Sequence, residues 1–192
     1  MGRKAHFSRD NFLAAALEIL SERGPGGITV AAVAKSAGAP VGSVYHRFPS
    51  RDMILGELWL SLAEEFQEGF DAALQDGGLN AALFTPRWAR AHPNQARVLL
   101  LYRREELMAK NWPRDFHLRA RALAEELRGA IRTFMEKSDM RISEEDYERV
   151  VFALIDAPLA VVRRHLEAGR KPPAFTDRLI EKTCKAVLEE GK

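Results

Sequence analysis

A chain of 192 residues, 46% hydrophobic and 29% charged, has an ordinary globular composition and length enough for one large core, or for a small domain set against a larger one. Its one cysteine, Cys184, excludes an intrachain disulfide and a Cys-rich zinc site, and no uncharged apolar run is long enough for a membrane-spanning helix. The net charge of +2 is unevenly spread: residues 1–52 carry seven basic and four acidic side chains against 22 and 23 in the remainder, so the basic excess lies where a polyanion could be met.

The opening residues, Met1 to Phe7, lack the apolar stretch of a secretory signal, which together with the lone cysteine predicts a cytoplasmic protein. Downstream, apolar residues recur at helical spacing and no period-two alternation persists, so the predicted fold class is all-α. A first helix is expected from about Arg9 to Arg23, with Ser8 as N-cap, Phe12, Ala16, Ile19 and Leu20 on one face, and Gly24-Pro25-Gly26-Gly27 stopping it. A short second helix starts after Thr29 as N-cap, turns Val30, Val33, Ala34 and Ala37 inward and stops at Gly38. A third begins at Pro40 and runs to Phe48, before Pro49. Longer helices come next: Arg51 to about Gln75, Asn80 to Ala91, Asn94 to Lys110, Arg114 to Glu136, Ser143 to Ala168 and Thr176 to Glu190. Ser143-Glu144-Glu145-Asp146 looks like a capping box, and Pro158 should kink the helix that it opens. The domains read as 1–52 and 53–192.

Two short helices joined by a tight glycine-containing turn and braced by an amphipathic first helix make a helix-turn-helix, whose second short helix enters the DNA major groove. In the third helix Val44 and Phe48 point inward. Val41, Gly42, Ser43, His46 and Arg47 point outward, and small or hydrogen-bonding side chains are what a groove-entering helix needs.

The stretch from Thr29 to Asp52, and above all Gly42-Ser43-Val44-Tyr45-x-x-Phe48-Pro49-Ser50-Arg51-Asp52, closely resembles the DNA-binding segment of the TetR/AcrR family of transcriptional regulators. With the Gly24 break and the Thr29 start, the match covers about residues 8–55; beyond it the chain agrees only in length, helical content and helix order. The resemblance implies that Thr29 caps the second helix and contacts a phosphate, that Tyr45 and His46 contact phosphates, and that Val41, Gly42 and Ser43 approach base edges. Arg51, where the family usually has Lys, should bind phosphate equally well. Two departures stand out. Pro40 replaces a common Ser or Thr, removing a hydroxyl, and Val41 replaces a frequent polar or basic residue, which favours contact with a thymine methyl.

A regulator of this plan must dimerise, because two reading helices have to meet successive major grooves. The helix from Ser143 to Ala168 is apolar on more than one face, with Ala153, Ala157 and Ala160 allowing close approach, and its companion is the last helix with Ile180, Cys184 and Val187. The family builds a four-helix dimer interface from its final two long helices, and this chain looks similar. Trp59, Phe66, Phe70, Trp88, Leu100, Tyr102, Phe134 and Phe152 are candidates to line an apolar pocket, though aromatics at helical spacing more often form core. Arg103 is a candidate contact for an anionic ligand, and Asp156, deep in an apolar run, is the acid to check for burial.

No Gly-rich phosphate loop, His-Glu-x-x-His or spaced metal-ligand cluster is present, so neither an enzyme nor a metal or cofactor protein is expected. The preferred reading is a homodimeric repressor of a near-palindromic duplex, relieved by a small, largely apolar effector. An alternative is a helix-turn-helix regulator without a small-molecule inducer, acting as an activator or through a protein partner; a helical interaction protein with a vestigial reading head is a third.

Overall fold

The computed structural model describes residues 7–102 and 112–189, and among them every regular element is helical. α1 (Arg9–Arg23) opens with a reciprocal cap: the Ser8 hydroxyl accepts from the Asn11 amide at 3.2 Å, and the Asn11 side chain accepts from the Ser8 amide at 2.9 Å. After a 3₁₀ turn at Pro25–Gly27, α2 (Val30–Ser36) starts with the Thr29 hydroxyl accepting from the Ala32 amide at 3.0 Å. It closes through Gly38 at φ +64°, where only glycine sits without strain, so that the Ala39 amide can reach back to the Ala34 carbonyl. α3 (Val41–Tyr45) is shorter than the expected Pro40–Phe48, yet its last turn continues through amides of Arg47 and Phe48 that both donate to the Val44 carbonyl.

Phe12, Leu20, Val33, Val44 and Phe48 form the centre of an N-terminal core. Ile54, Leu55, Leu58 and Leu62 of α4 (Arg51–Gln75) complete it, with Val98 from the later helix at Pro93–Leu101. The N-terminal unit therefore ends part-way along α4, not at residue 52. A helix of this length runs about 37 Å, enough for its first half to serve one core and its second half another. That second core gathers α4, α5 (Gly78–Ala91), α7 (Arg114–Lys137), α8 (Glu144–Val151) and α10 (Phe175–Glu189) around Phe70, Ile131, Met135, Leu154 and Ile180. α6 (Pro93–Leu101) lies between the two and packs on α1.

Two differences from the sequence expectation have identifiable causes, one tertiary and one local. α6 stops at Leu101, with Tyr102 extended (φ −82°, ψ 127°), instead of running to Lys110. The Leu100 carbonyl, which a continuing helix would bond to residue 104, accepts Arg163 Nε at 2.7 Å. Between α8 and α9 (Ala157–Glu167) there is no simple proline kink but a π turn at Phe152–Asp156, in which the Ala157 amide donates to the Phe152 carbonyl five residues back. Widening the turn relieves the Pro158 ring from the carbonyl four residues before it.

Candidate nucleic-acid interface and adjoining cavity

α3 stands on two buried anchors, Val44 and Phe48, and shows solvent a face on which Val41 is 43% and Tyr45 54% exposed. Pro40, Gly42 and His46 are exposed beside them and Ser43 is half-buried. A Cβ on Gly42 would meet nothing within 4 Å, so no packing inside the protein demands a glycine there. Its smallness matters only to something that approaches from outside. Thr29 is exposed, and because its oxygen serves the cap as acceptor, its O–H remains available to donate.

The two arginines assigned by sequence to the same surface are engaged otherwise. Arg47 Nε donates to the Phe7 carbonyl at 3.0 Å, which ties the start of the described chain to α3. Arg51 donates from Nε to the Ile28 carbonyl at 2.9 Å and from Nη2 to the Pro25 carbonyl at 2.6 Å, with Nη1 3.2 Å from Asp52. It clamps the start of α4 to the loop before α2. Arg9, which sequence reasoning passed over, lies with its guanidinium carbon 4.9 Å over the Phe48 ring and Nη2 3.0 Å from Glu57. Glu57 in turn receives Arg119 of α7 at 2.9 Å, and Arg119 also forks onto both Glu64 oxygens at 2.9 Å. The Glu64 hydrogen bonds lead in raising the Arg119 pKa above its ordinary value. A chain of charge thus runs from the foot of α3 through α4 to α7.

Behind this head a cavity of about 290 Å³ opens between α4, α6, α7 and the 144–167 run, close to the lower end of small-molecule sites. Of the residues named from sequence, Trp59, Phe66, Phe70 and Leu100 line it, with Gln67 and Thr85 as polar groups. Trp88 stands behind the wall, packed edge-on to Phe66 at 4.9 Å. Tyr102 packs on the N-terminal core, its hydroxyl 3.3 Å from where a Gly24 Cβ would lie. Phe134 lines a separate small hollow with Cys184 and Leu188. Phe152 and Asp156 are exposed, and Arg103 lies outside the described residues. Of the exposed pair, the π turn explains Asp156, at its C-terminal end; Phe152 opens the turn, upstream of the added residue. One extra residue in a turn rotates the downstream side chains by about 100°, so a straight helical wheel puts them on the wrong side. The cavity itself is made by residues the sequence reading missed: Ala63, Ala120 and Ala124, alanines facing one another across α4 and α7. Small residues on the inner faces of two long helices were the available signal, because interiors otherwise leave few voids larger than a water.

The expected dimer residues divide in the same way. Ala153, Ile180 and Cys184 are buried in the chain's own core, Val187 packs against it, Ala157 is half-buried and only Ala160 is open. Burial pushes the Cys184 thiol up, as suits a core residue. Within the 144–189 run the large apolar side chains left uncovered are instead Phe152, Phe175 and Leu179, each about half exposed, while Leu118 and Ile142 are exposed elsewhere. No helix among the described residues is long and apolar enough to cross a membrane.

Residues 12–58 match the family of bacterial regulatory proteins described as the tetR family. The whole chain is similar in fold to solved regulators at low identity. A TetR family transcription regulator from Marinobacter aquaeolei VT8 is 14% identical, with 93% of this chain and 94% of that one covered and a TM-score of 0.69. FadR from Bacillus subtilis in complex with stearoyl-CoA gives 16%, 94%, 98% and 0.70. The ketosteroid regulator KstR2 of Mycobacterium tuberculosis gives 18%, 97%, 96% and 0.62. No curated protein sequence matches the chain.

Proposed function

We propose that this chain, a member of the tetR family of bacterial regulatory proteins, represses transcription as a homodimer and releases its DNA when a small molecule fills the α4–α7 cavity. The observation that carries the reading is the position of α6. Leu99 and Leu100 wall the cavity, while Val98 beside them is buried in the core of the reading head. A ligand that displaces the one pair therefore acts on the other. By linkage, DNA must weaken the ligand as much as the ligand weakens DNA.

In the DNA complex Val41, Gly42 and Ser43 lie against base edges, Val41 as an apolar contact for a thymine methyl, and Thr29, Tyr45 and His46 contact phosphates. Arg47 and Arg51 brace the head through backbone carbonyls, so their contribution to phosphate binding is secondary. The second copy covers Phe152, Ala160, Phe175 and Leu179, setting the two α3 helices about 34 Å apart for one turn of DNA.

The test is selection of bound duplexes from a random pool, then titration across a salt series. The expected product is a near-palindrome whose affinity falls steeply with salt. A Phe175→Asp/Leu179→Asp double variant should be monomeric in sedimentation and lose the palindrome. Recovery of no preferred duplex, or tight binding by a monomer, overturns the proposal.

A further inference from the structure

One helical step round from the cavity wall, Glu64, Glu68 and Asp71 of α4 and Glu126 of α7 line a groove that shares Gln67 and Leu123 with the cavity. Residues 63, 66, 67 and 70 of α4 face the cavity, whereas 64, 67, 68 and 71 face the groove, so an apolar hollow and an acidic rim meet along one edge. Arg119 neutralises Glu64. Among the described residues no cation pairs with Glu68, Asp71 or Glu126, and no Lys or Arg lines either the cavity or the groove. Asp71 Oδ1 is buried without a hydrogen-bond partner. Burial and then the neighbouring Glu126 hold the Asp71 carboxyl above its ordinary value. Carboxylates gathered without a counter-charge repel one another. An anionic headgroup arriving at this rim would add to that repulsion, and a cation would relieve it.

Resting on the effector reading of the cavity, we infer that its ligand is an amphiphilic cation, with an apolar body among Trp59, Phe66, Phe70 and Leu127 and a positive group at Asp71 and Glu126. Glu64 makes the link to the head. A cation at the rim competes with Arg119 for Glu64, and Arg119 also holds Glu57, which pairs with Arg9 over Phe48 at the foot of α3.

The experiment is calorimetric titration of the full chain with three probes of one tail length, decyltrimethylammonium, 1-decanol and decanoate, with Trp59 emission monitored in parallel. The cation should bind about tenfold more tightly than the alcohol, a difference of about 1.4 kcal/mol, and decanoate more weakly than either. Asp71→Asn/Glu126→Gln should lose that preference while its affinity for 1-decanol stays unchanged. Both changes remove repulsion, so folding is retained, and Glu68→Gln gives an independent, smaller loss. Equal affinity for cation and alcohol, tightest binding of decanoate, or a preference that survives the double variant overturns the charge assignment and leaves the cavity reading intact. Failure of all three probes to bind or to change Trp59 emission overturns both.

Discussion

Replacing Gly56 by alanine isolates how tightly α7 is seated on α4. Both Gly56 and Gly129 lie within long helices at ordinary helical φ, so alanine removes a backbone entropy cost at each, a gain of about 0.5–1 kcal/mol. The surroundings differ. A Cβ on Gly56 would lie 2.7 and 2.8 Å from two carbons of the Phe116 ring and 2.9 Å from Trp112, contacts that must be relieved. Neither neighbour can swing away, since Phe116 is 2% and Trp112 6% exposed, and their rings pack edge to face at 5.4 Å. Overpacking of this kind costs roughly 1–3 kcal/mol, which outweighs the helix gain and leaves a net loss of about 1–2 kcal/mol. Gly129 meets nothing within 4 Å and keeps the whole gain. For a chain of this size about 1 kcal/mol moves Tm by roughly 2–4 °C. Gly56→Ala should therefore melt several degrees lower and Gly129→Ala a few degrees higher, by differential scanning calorimetry of the DNA-free protein. A Gly56→Ala chain as stabilised as Gly129→Ala would refute the reasoning.

Four further outcomes separate binding from stability. Tyr45→Ala should weaken duplex binding about tenfold in a fixed-salt gel shift and leave Tm within a degree or so, because the ring is half exposed and packs little; Arg51→Met should do the reverse in emphasis, losing about 1–2 kcal/mol in urea unfolding as two carbonyl bonds disappear. His165 is held below its ordinary value by burial and then by Arg164 and Arg170, so its contribution to stability is intact above the unfolded-state value of 6.5 and lost as pH falls through the lower folded value. Urea midpoints should fall over that range, and His165→Gln should flatten the slope. Asp71 has the opposite sign: its folded pKa is raised, so its contribution is present below the unfolded value of 3.8 and lost as pH rises through the folded value. Asp71→Asn should accordingly raise the midpoint at neutral pH; an unchanged or lower midpoint contradicts the buried, unpartnered carboxylate.

The features that the sequence determined alone are local. Caps at Ser8, Thr29 and Ser143, the left-handed glycine at 38 and the outward face of α3 arise from bonds within a few residues, and each was readable from the order of side chains. The helix-turn-helix was legible for the same reason, since two short helices and their turn are specified within about two dozen neighbouring residues. Tertiary packing decided the rest. The end of α6 depends on Arg163 reaching the Leu100 carbonyl from 63 residues away. The side on which Asp156 emerges depends on a π turn that breaks the helical period, and no wheel drawn from the sequence carries a register slip across it. Arg47 and Arg51 are charged in any reading, but which oxygen a guanidinium finds depends on the chain that folds beside it. The cavity is the extreme case: Ala63 on α4 and Ala120 and Ala124, one turn apart on α7, are ordinary helix residues, and they enclose a space only because the two helices bring them face to face.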